Sequence, residues 1–420
     1  MKILVMSSST LLTSFQDTQK AFAYKNDLQL RKASWLFYLM RFNRLVNLGA
    51  RLVPWAMRYG LPVKFLLRKT LFQQFVGGED LVQTNLVADQ LGRFGVQIIL
   101  DYGAEGGARD EAEMEAVCNE FVRVIDHAAL HSNIPFISIK ITGMVRFSLL
   151  EKLDAWMHQH EGTLLIRYAR AVASLPESEK NEWSSLCIRL DRLCSHAAAH
   201  RKGILIDAEE SWIQDPIDAL SLEMMSKYNR VDVVIYNTVQ MYRHDRLRFI
   251  KECYEEANAK KFSLGLKIVR GAYMEKERAR AEEKRYTSPI QPDKQSCDRD
   301  FDTAVKFCID RIEQGAIVVA THNEESNLYT IRLMLERGLP NDHSRVHLSQ
   351  LFGMSDHITF NLASAGYRVS KYLPFGPLEE VIPYLMRRAQ ENTSVAGQTS
   401  RELELINKER QRRKLSKKDC

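Results

Sequence analysis

Eight short β-branched runs, each followed by enough chain for a helix, constrain this sequence more than any other feature. They are VQIILDYG from Val96, FISIKITG from Phe136, GILIDAEE from Gly203 and VVIYNTVQ from Val233, then LGLKIVRGAY from Leu264, AIVVATHN from Ala316, VHLSQLFG from Val346 and YRVSKYLPFG from Tyr367. Strands alternating with helices imply a parallel sheet buried on both faces. Eight such units can close on themselves as a (β/α)8 barrel, and an open doubly wound sheet is the main competitor. A chain of 420 residues accommodates one such barrel without a second domain.

The flanks read differently. Residues 1–90 are helical in character and carry no evident chemistry, so they are expected to pack as a layer on a barrel spanning 91–400. Within that layer, Leu36–Phe75 interleaves apolar residues with Arg41, Arg44, Arg51, Arg58, Lys64, Arg68 and Lys69. Two readings stand: a basic face in water, or one resting on an anionic membrane. Residues 401–420 end in NKERQRRKLSKKDC and are expected to form a solvated basic tail. A longer helical insertion is expected at about residues 145–200. The Pro-containing stretch Thr287–Asp298 is a candidate lid after the fifth strand.

Several function classes find no support. No GxGxxG follows a strand (residues 103–107 read GAEGG), and no GxxxxGK[ST] occurs. Seven cysteines are scattered at 118, 187, 194, 253, 297, 308 and 420, without zinc-type spacing, and read as reduced thiols. A net charge of +6 is weak evidence for any acidic partner, and no nucleic-acid partner is expected. The N-terminus reads as neither a secretory signal nor an acid-free transit peptide, because Asp17 intrudes. No apolar run reaches the length of a membrane span.

In a barrel, catalytic groups gather at the C-terminal ends of the strands. Those ends deliver Lys140, Asp207, Gln240, Lys267, Arg270-Gly271-Ala272-Tyr273, Thr321-His322-Asn323 and Tyr372. A lysine buried alone in an apolar strand costs on the order of several kcal/mol, so Lys140 and Lys267 need an anion, a partner or water. Asp207 could satisfy one of them structurally. Pro377 opens a last helix with Glu379 and Glu380 in its first turn. Arg387 and Arg388 follow on that helix; one or both can fork a carboxylate, and Glu391 lies within one turn to orient them. A solvated basic face is the bland alternative for the pair.

These motifs, in this order, resemble the proline dehydrogenase family. The resemblance runs from about Phe75 (QFVGGED) to Val395, and rests most on KIVRGAYMEKER from Lys267 and YLPFGPLEEVIPYLMRRAQEN from Tyr372. FISIKITG, ILIDAEE, VQMY and ATHN support it. The resemblance implies a distorted barrel of the TIM type with FAD bound non-covalently at the strand ends. By position, Arg387, Arg388 and Lys140 would hold the carboxylate of L-proline, and Tyr372 and Leu351 would pack on its ring. Asp207 and Lys267 would serve the reacting centre. Ala208, Gln240, Arg270, Gly271, Ala272, Thr321, His322 and Glu391 would line the FAD.

Two details qualify the match. Many bacterial members carry arginine where Lys267 stands, and lysine there looks like the mitochondrial-type branch; it keeps the charge and loses the fork. Glu105 is a guess for the acid that closes the site against an arginine. The family implies a product, 1-pyrroline-5-carboxylate, passed to a separate pyrroline-5-carboxylate dehydrogenase, and electrons passed to membrane quinone. The setting expected is a bacterial protein held peripherally on the inner face of the cytoplasmic membrane, with the mitochondrial inner membrane as second choice. Hydroxyproline dehydrogenase of the same fold is the nearest alternative, disfavoured by the bulk of Tyr372. A class I aldolase using Lys140 or Lys267, and a non-enzymatic membrane- or nucleic-acid-binding protein, are the others.

Overall fold

All eight runs become strands: β1 Gln97–Tyr102, β2 Phe136–Ile139, β3 Gly203–Ile206, β4 Ile235–Gln240, β5 Leu264–Val269, β6 Gly315–Ala320, β7 Val346–Leu351 and β8 Val369–Phe375. The structure is a computed structural model describing residues 14–42, 63–103, 110–394 and 398–416, with positions 46, 48, 49, 52, 53 and 59. Of 390–394, 398, 415 and 416 it describes the backbone alone. The strands pair in parallel in chain order, and β8 closes on β1 over six residue pairs, Gln97↔Ser370 to Tyr102↔Phe375. Closure excludes the open sheet. It also explains why the runs are so uniformly apolar, since one face meets the helices and the other fills the barrel.

The barrel's interior is layered. Ile99, Phe136, Leu205, Tyr236 and Val318 form an apolar floor, and Tyr372 packs on it from above. The charged side chains of the knot described below stand toward the C-terminal rim, above this floor, while the buried His347–Ser370 pair lies beside Phe136 at the strand starts. The outer face of the sheet packs against helices whose starts are set by local chemistry. Asp110 caps Glu111–Ala129 by accepting from the Glu113 N–H, and Asn323 caps Glu324–Glu336 by accepting from Ser326.

Two units carry extra helices. Phe147–Met157, Leu164–Ala173 and Glu177–Ala199 follow β2, in the insertion expected there. After β5, Met274–Lys284 and Lys294–Ile309 flank the segment read as a lid. That segment is tied down. Ile290 bridges Arg243, the Gln291 N–H donates to Tyr242 O at 2.7 Å, and Ile290 and Gln291 are buried. Backbone bonding of this kind holds the candidate lid against the wall of the barrel.

The terminal segments form one layer. Asp27–Met40 buries Leu30, Ala33 and Phe37 against Phe75, against Leu378, Val381 and Leu385 of the last barrel helix, and against Leu403, Leu405 and Ile406. The last three belong to a helix, Gln398–Ser416, where a solvated tail was expected. The expectation failed because basic residues mask a short apolar set and a fully buried acid. Glu409 accepts hydrogen bonds from Thr18, Arg412 and Arg413 at 2.8–3.0 Å, and Arg413 also reaches Asp27. The layer also touches the barrel's rim. Gln74 Nε2 donates to Gly353 O at 2.7 Å, and a Cβ on Gly353, at φ +80°, would stand 2.1 Å from Gln74 O.

Among the described residues no helix is long and apolar enough to cross a membrane. Cys118, Cys194, Cys253, Cys297 and Cys308 are free and buried, and Cys187 is free and half-buried.

Candidate active site

The centre of the rim is a four-charge network. Asp207, at the end of β3, is 9% exposed and lies between two lysines. Its Oδ1 is 2.5 Å from Lys267 Nζ on β5, and its Oδ2 is 3.2 Å from Lys140 Nζ after β2. Lys140 also meets Asp101 of β1 at 3.2 Å. Tyr372 of β8 donates to Asp207 Oδ2 at 2.7 Å and contacts Ser138 Oγ at 3.1 Å, and Lys267 Nζ sits 5.1 Å from the Tyr372 ring centroid. Five strands thus contribute to one knot.

The charges decide what the knot can do. Burial alone would raise the Asp207 carboxyl, but Lys267 and Lys140, with the hydrogen bonds of Lys267 and Tyr372, hold it well below the usual carboxylate range. It stays ionised at any working pH, which disqualifies it as a proton acceptor. Burial, then Asp101 and Asp207, pushes the Tyr372 phenol well above its ordinary value. Among the described residues, the two aspartates and two lysines of the knot balance. An anionic ligand above the knot therefore draws its counter-charge from elsewhere.

That charge stands on the last helix, Leu378–Ser394. Arg388 is buried, with its guanidinium 5.4 Å from the Tyr384 ring centroid. Arg387 is half-buried, 5.8 Å from the ring centroid of Tyr273, the residue that follows Ala272 beyond β5. The helix thus brings the pair over the rim. The side chain of Glu391 and residue Glu105 lie outside the described residues.

Apart from Glu391, the residues expected to line a cofactor occupy one arc, following β3 to β6. Ala208 is half-buried beside Asp207, and Gln240 donates to Glu209 O at 2.7 Å. Arg270 spends its three nitrogens on Asp298 (2.7 Å), Thr321 (2.6 Å) and Ser326 (2.9 Å), with its plane 4.3 Å from the Phe301 centroid. Gly271 and Ala272 are exposed on the lip. Leu351 ends β7 as the register partner of Tyr372 and packs on the terminal layer's apolar cluster. His322 accepts or donates at Nδ1 with Ser355 Oγ, 2.9 Å away. Burial first, then Lys371, Arg388, His357 and Arg270, lowers its pKa to about 3, so it is a neutral imidazole.

Sequence reading missed three contributors. Asp101 interrupts an apolar strand as Asp207 does, and that signal was available. Glu209, 5% exposed, accepts from Thr142 N–H at 3.1 Å and Thr142 Oγ1 at 2.5 Å, and burial raises its pKa to about 7. Glu402, on the C-terminal helix and 2% exposed, accepts the Ser355 N–H and so holds the partner of His322. Nothing in the local sequence marks Glu402, because it acts on a turn 47 residues away.

The family profile described as proline dehydrogenase matches residues 86–401. The chain belongs to the proline dehydrogenase family. It is 30% identical to mitochondrial proline dehydrogenase 1 of Dictyostelium discoideum over 94% of its own length and 74% of that protein's. It is 31% identical to a hydroxyproline dehydrogenase of Xenopus laevis, covering 93% and 88% of the two chains. Among solved structures, proline utilization A (PutA) of Bdellovibrio bacteriovorus, inactivated by N-propargylglycine, superposes with a TM-score of 0.71 at 17% identity. That similarity covers 92% of this chain and 41% of the PutA chain, so this chain spans about two-fifths of that protein, and it speaks to the fold.

Proposed function

We propose that this member of the family oxidises L-proline to 1-pyrroline-5-carboxylate with bound FAD. The observation that carries the reading is the charge balance at the rim. Asp101 and Asp207 neutralise Lys140 and Lys267, while Arg387 and Arg388 arrive on a separate helix over the same opening. A zwitterionic amino acid needs cations for its carboxylate at the lip and an apolar or neutral surface for its ring.

The residues fit a flavin. A neutral His322, the Thr321 hydroxyl, Gln240 and the small-residue lip at Gly271 and Ala272 offer hydrogen bonds and close backbone approach to an extended, electron-rich ligand. Arg270, which shares Asp298 with Lys294, leaves net positive charge beside this arc, which suits an anionic group. When bound, FAD supplies the acceptor for the hydride. Oxidation removes a hydride from the ring carbon beside nitrogen and a proton from the nitrogen, leaving a C=N bond. Arg387 and Arg388 hold the carboxylate, and Tyr372, fixed by Asp207 and Ser138, presents its ring to the substrate. Asp207 and Lys267 fix that platform and do not take the proton, which leaves to water.

The hydroxyl of Tyr372 is already engaged by Asp207 and Ser138. A ring hydroxyl on the substrate gains no partner there and meets the bulk of the phenol, which favours proline over hydroxyproline. An aldolase is disfavoured because Lys140 and Lys267 are each paired to an aspartate and do not present a free amine. The deciding experiment is anaerobic titration of the purified protein. A flavin spectrum that bleaches with L-proline and far less with hydroxyproline supports the reading. Preferential bleaching by hydroxyproline moves the substrate, and a colourless protein inert after added FAD overturns it.

The reading extends to a membrane quinone as electron acceptor, a separate pyrroline-5-carboxylate dehydrogenase downstream, and peripheral residence on the inner face of a bacterial cytoplasmic membrane. Its support is the outer surface of the N-terminal layer, where Trp35, Tyr38, Phe42, Phe65 and Leu66 are each about half exposed or more, beside Arg41 and Lys69. Aromatic and aliphatic side chains interleaved with basic ones suit the boundary of an anionic bilayer. Arg44, Arg51 and Arg58 lie outside the described residues. Charge reversal at Arg41, Arg44 and Arg51 should weaken binding to anionic liposomes without changing turnover with a soluble dye; unchanged binding defeats the docking surface.

A further inference from the structure

Far from the rim, three ligand-type side chains converge where two helices end. His196 lies in the last turn of Glu177–Ala199, and His200 caps that helix one turn later. Asp126 lies in the last turn of the neighbouring helix, Glu111–Ala129. These helices run on into β3 and β2, so the cluster sits where those strands begin, at the opposite end of the barrel from the candidate active site. Asp126 Oδ1 is 2.6 Å from His196 Nε2 and 3.9 Å from His200 Nε2, and the ligand atoms of all three lie within 4.8 Å of one another. The two imidazole centroids are 4.8 Å apart.

We propose that Asp126, His196 and His200 form a binding site for a divalent transition cation of the zinc class. Histidines four residues apart on a helix share one face and can chelate a single ion. Metal–nitrogen and metal–oxygen bonds of about 2.0–2.1 Å at tetrahedral angles put neighbouring ligand atoms roughly 3.3 Å apart. The separations of 2.6 and 3.9 Å bracket that value, so small side-chain rotations bring both pairs to it. On binding, the ion takes the place of the direct His196–Asp126 hydrogen bond.

The surroundings favour a cation. Both helices present their C-terminal, negative ends to the site. Two nearby arginines are already engaged: Arg192 binds Glu115 at 2.8 Å and Asn119 at 2.9 Å, and Arg123 binds Glu120 at 2.6 Å. The His196, His200 and Asp126 side chains are 31%, 40% and 55% exposed, and a surface groove of about 440 Å³ lined by Asn119, Val122, Arg192, Ser195 and His196 adjoins them. Water or a small anion can therefore fill the fourth position. Two imidazoles and one carboxylate select zinc, nickel, cobalt or copper over magnesium and calcium. Bound metal would tie the helix after β1 to the last helix of the insertion and stabilise the fold by linkage.

The test is isothermal titration of the tag-free full chain at pH 7.5 with ZnCl2 and, separately, MgCl2. One zinc per chain is expected, with no heat from magnesium, and zinc should raise the thermal midpoint. H200A should weaken zinc binding at least tenfold and abolish the thermal shift, while its metal-free midpoint stays at the parent value. D126N, which keeps size and hydrogen bonding, should weaken binding in the same direction. Zinc affinity unchanged in both variants, or no zinc binding to the parent at millimolar concentration, overturns the proposal.

Discussion

The barrel rim and the terminal layer contribute to the candidate site in opposite ways. At the rim, Asp101, Lys140, Asp207, Lys267 and Tyr372 stand on strand ends, and the sheet's register alone brings them together. Among the described residues the terminal layer supplies no group to that knot, yet it grips the turn that follows β7. Ser355, held at φ +51°, gives its N–H to Glu402. Asp356 binds Tyr24 at 2.7 Å, Lys25 at 3.0 Å and the fully buried Lys371 at 2.9 Å. His357 meets Glu324, which Arg401 also holds. Since Ser355 positions His322, helices that look like packaging help set the arc proposed to line the cofactor. Proximity to the chemistry and importance for it are separate properties.

The largest expected effect lies at the rim. Asp207→Ala strips the buried Lys267 of its carboxylate and takes one partner from the half-buried Lys140, and should cost about 3–5 kcal/mol of stability, read as a lower denaturation midpoint. A midpoint equal to the parent's would mean the knot is solvated and the rim is not the rigid partner in the comparison. Next, Arg388→Lys keeps the charge and loses the fork. It should raise KM for L-proline by roughly 10-fold or more through the loss of a charge-assisted bond, with a smaller change in kcat. Equal KM values would show that the carboxylate binds elsewhere.

The terminal layer should register next. Glu402→Ala strands a buried N–H, which costs about 1–3 kcal/mol, and should loosen FAD while leaving KM for proline nearly unchanged in the flavin-loaded protein. Glu402→Gln, which keeps an acceptor, should recover most of the loss. If Glu402→Ala and Glu402→Gln behave alike, the grip on Ser355 is not what matters. Non-additivity of Glu402→Ala with His322→Ala would sharpen the link between the two regions.

The smallest effect is a pH dependence. Burial raises the Glu209 carboxyl to about 7 in the folded chain, above its unfolded value. Folding therefore favours its protonated form, and stability falls as pH rises from the unfolded pKa to about 7. Glu209→Gln should remove that fall, so the variant gains on the parent at pH 8 relative to pH 5. Parallel stability curves would show Glu209 to be ionised and solvated.

The sequence by itself determined the barrel. Eight apolar runs separated by helices leave few ways to bury both faces of a parallel sheet, and a polar residue ending such a run falls at the rim. That is why Lys140, Asp207, Lys267 and Tyr372 could be named from position. Only the tertiary structure decided which of these charges neutralise one another, because pairing depends on register across strands far apart in the chain. It also decided the fate of the last helix. A run dense in arginine and lysine reads as solvated until a partner surface is known; here Glu409, Asp27 and a strip of three apolar residues dock the C-terminal helix, while Lys408, Arg412 and Lys414 stay exposed. Glu402 and Ser355 follow the same rule: a contact between segments 47 residues apart leaves no local pattern, and only packing reveals it.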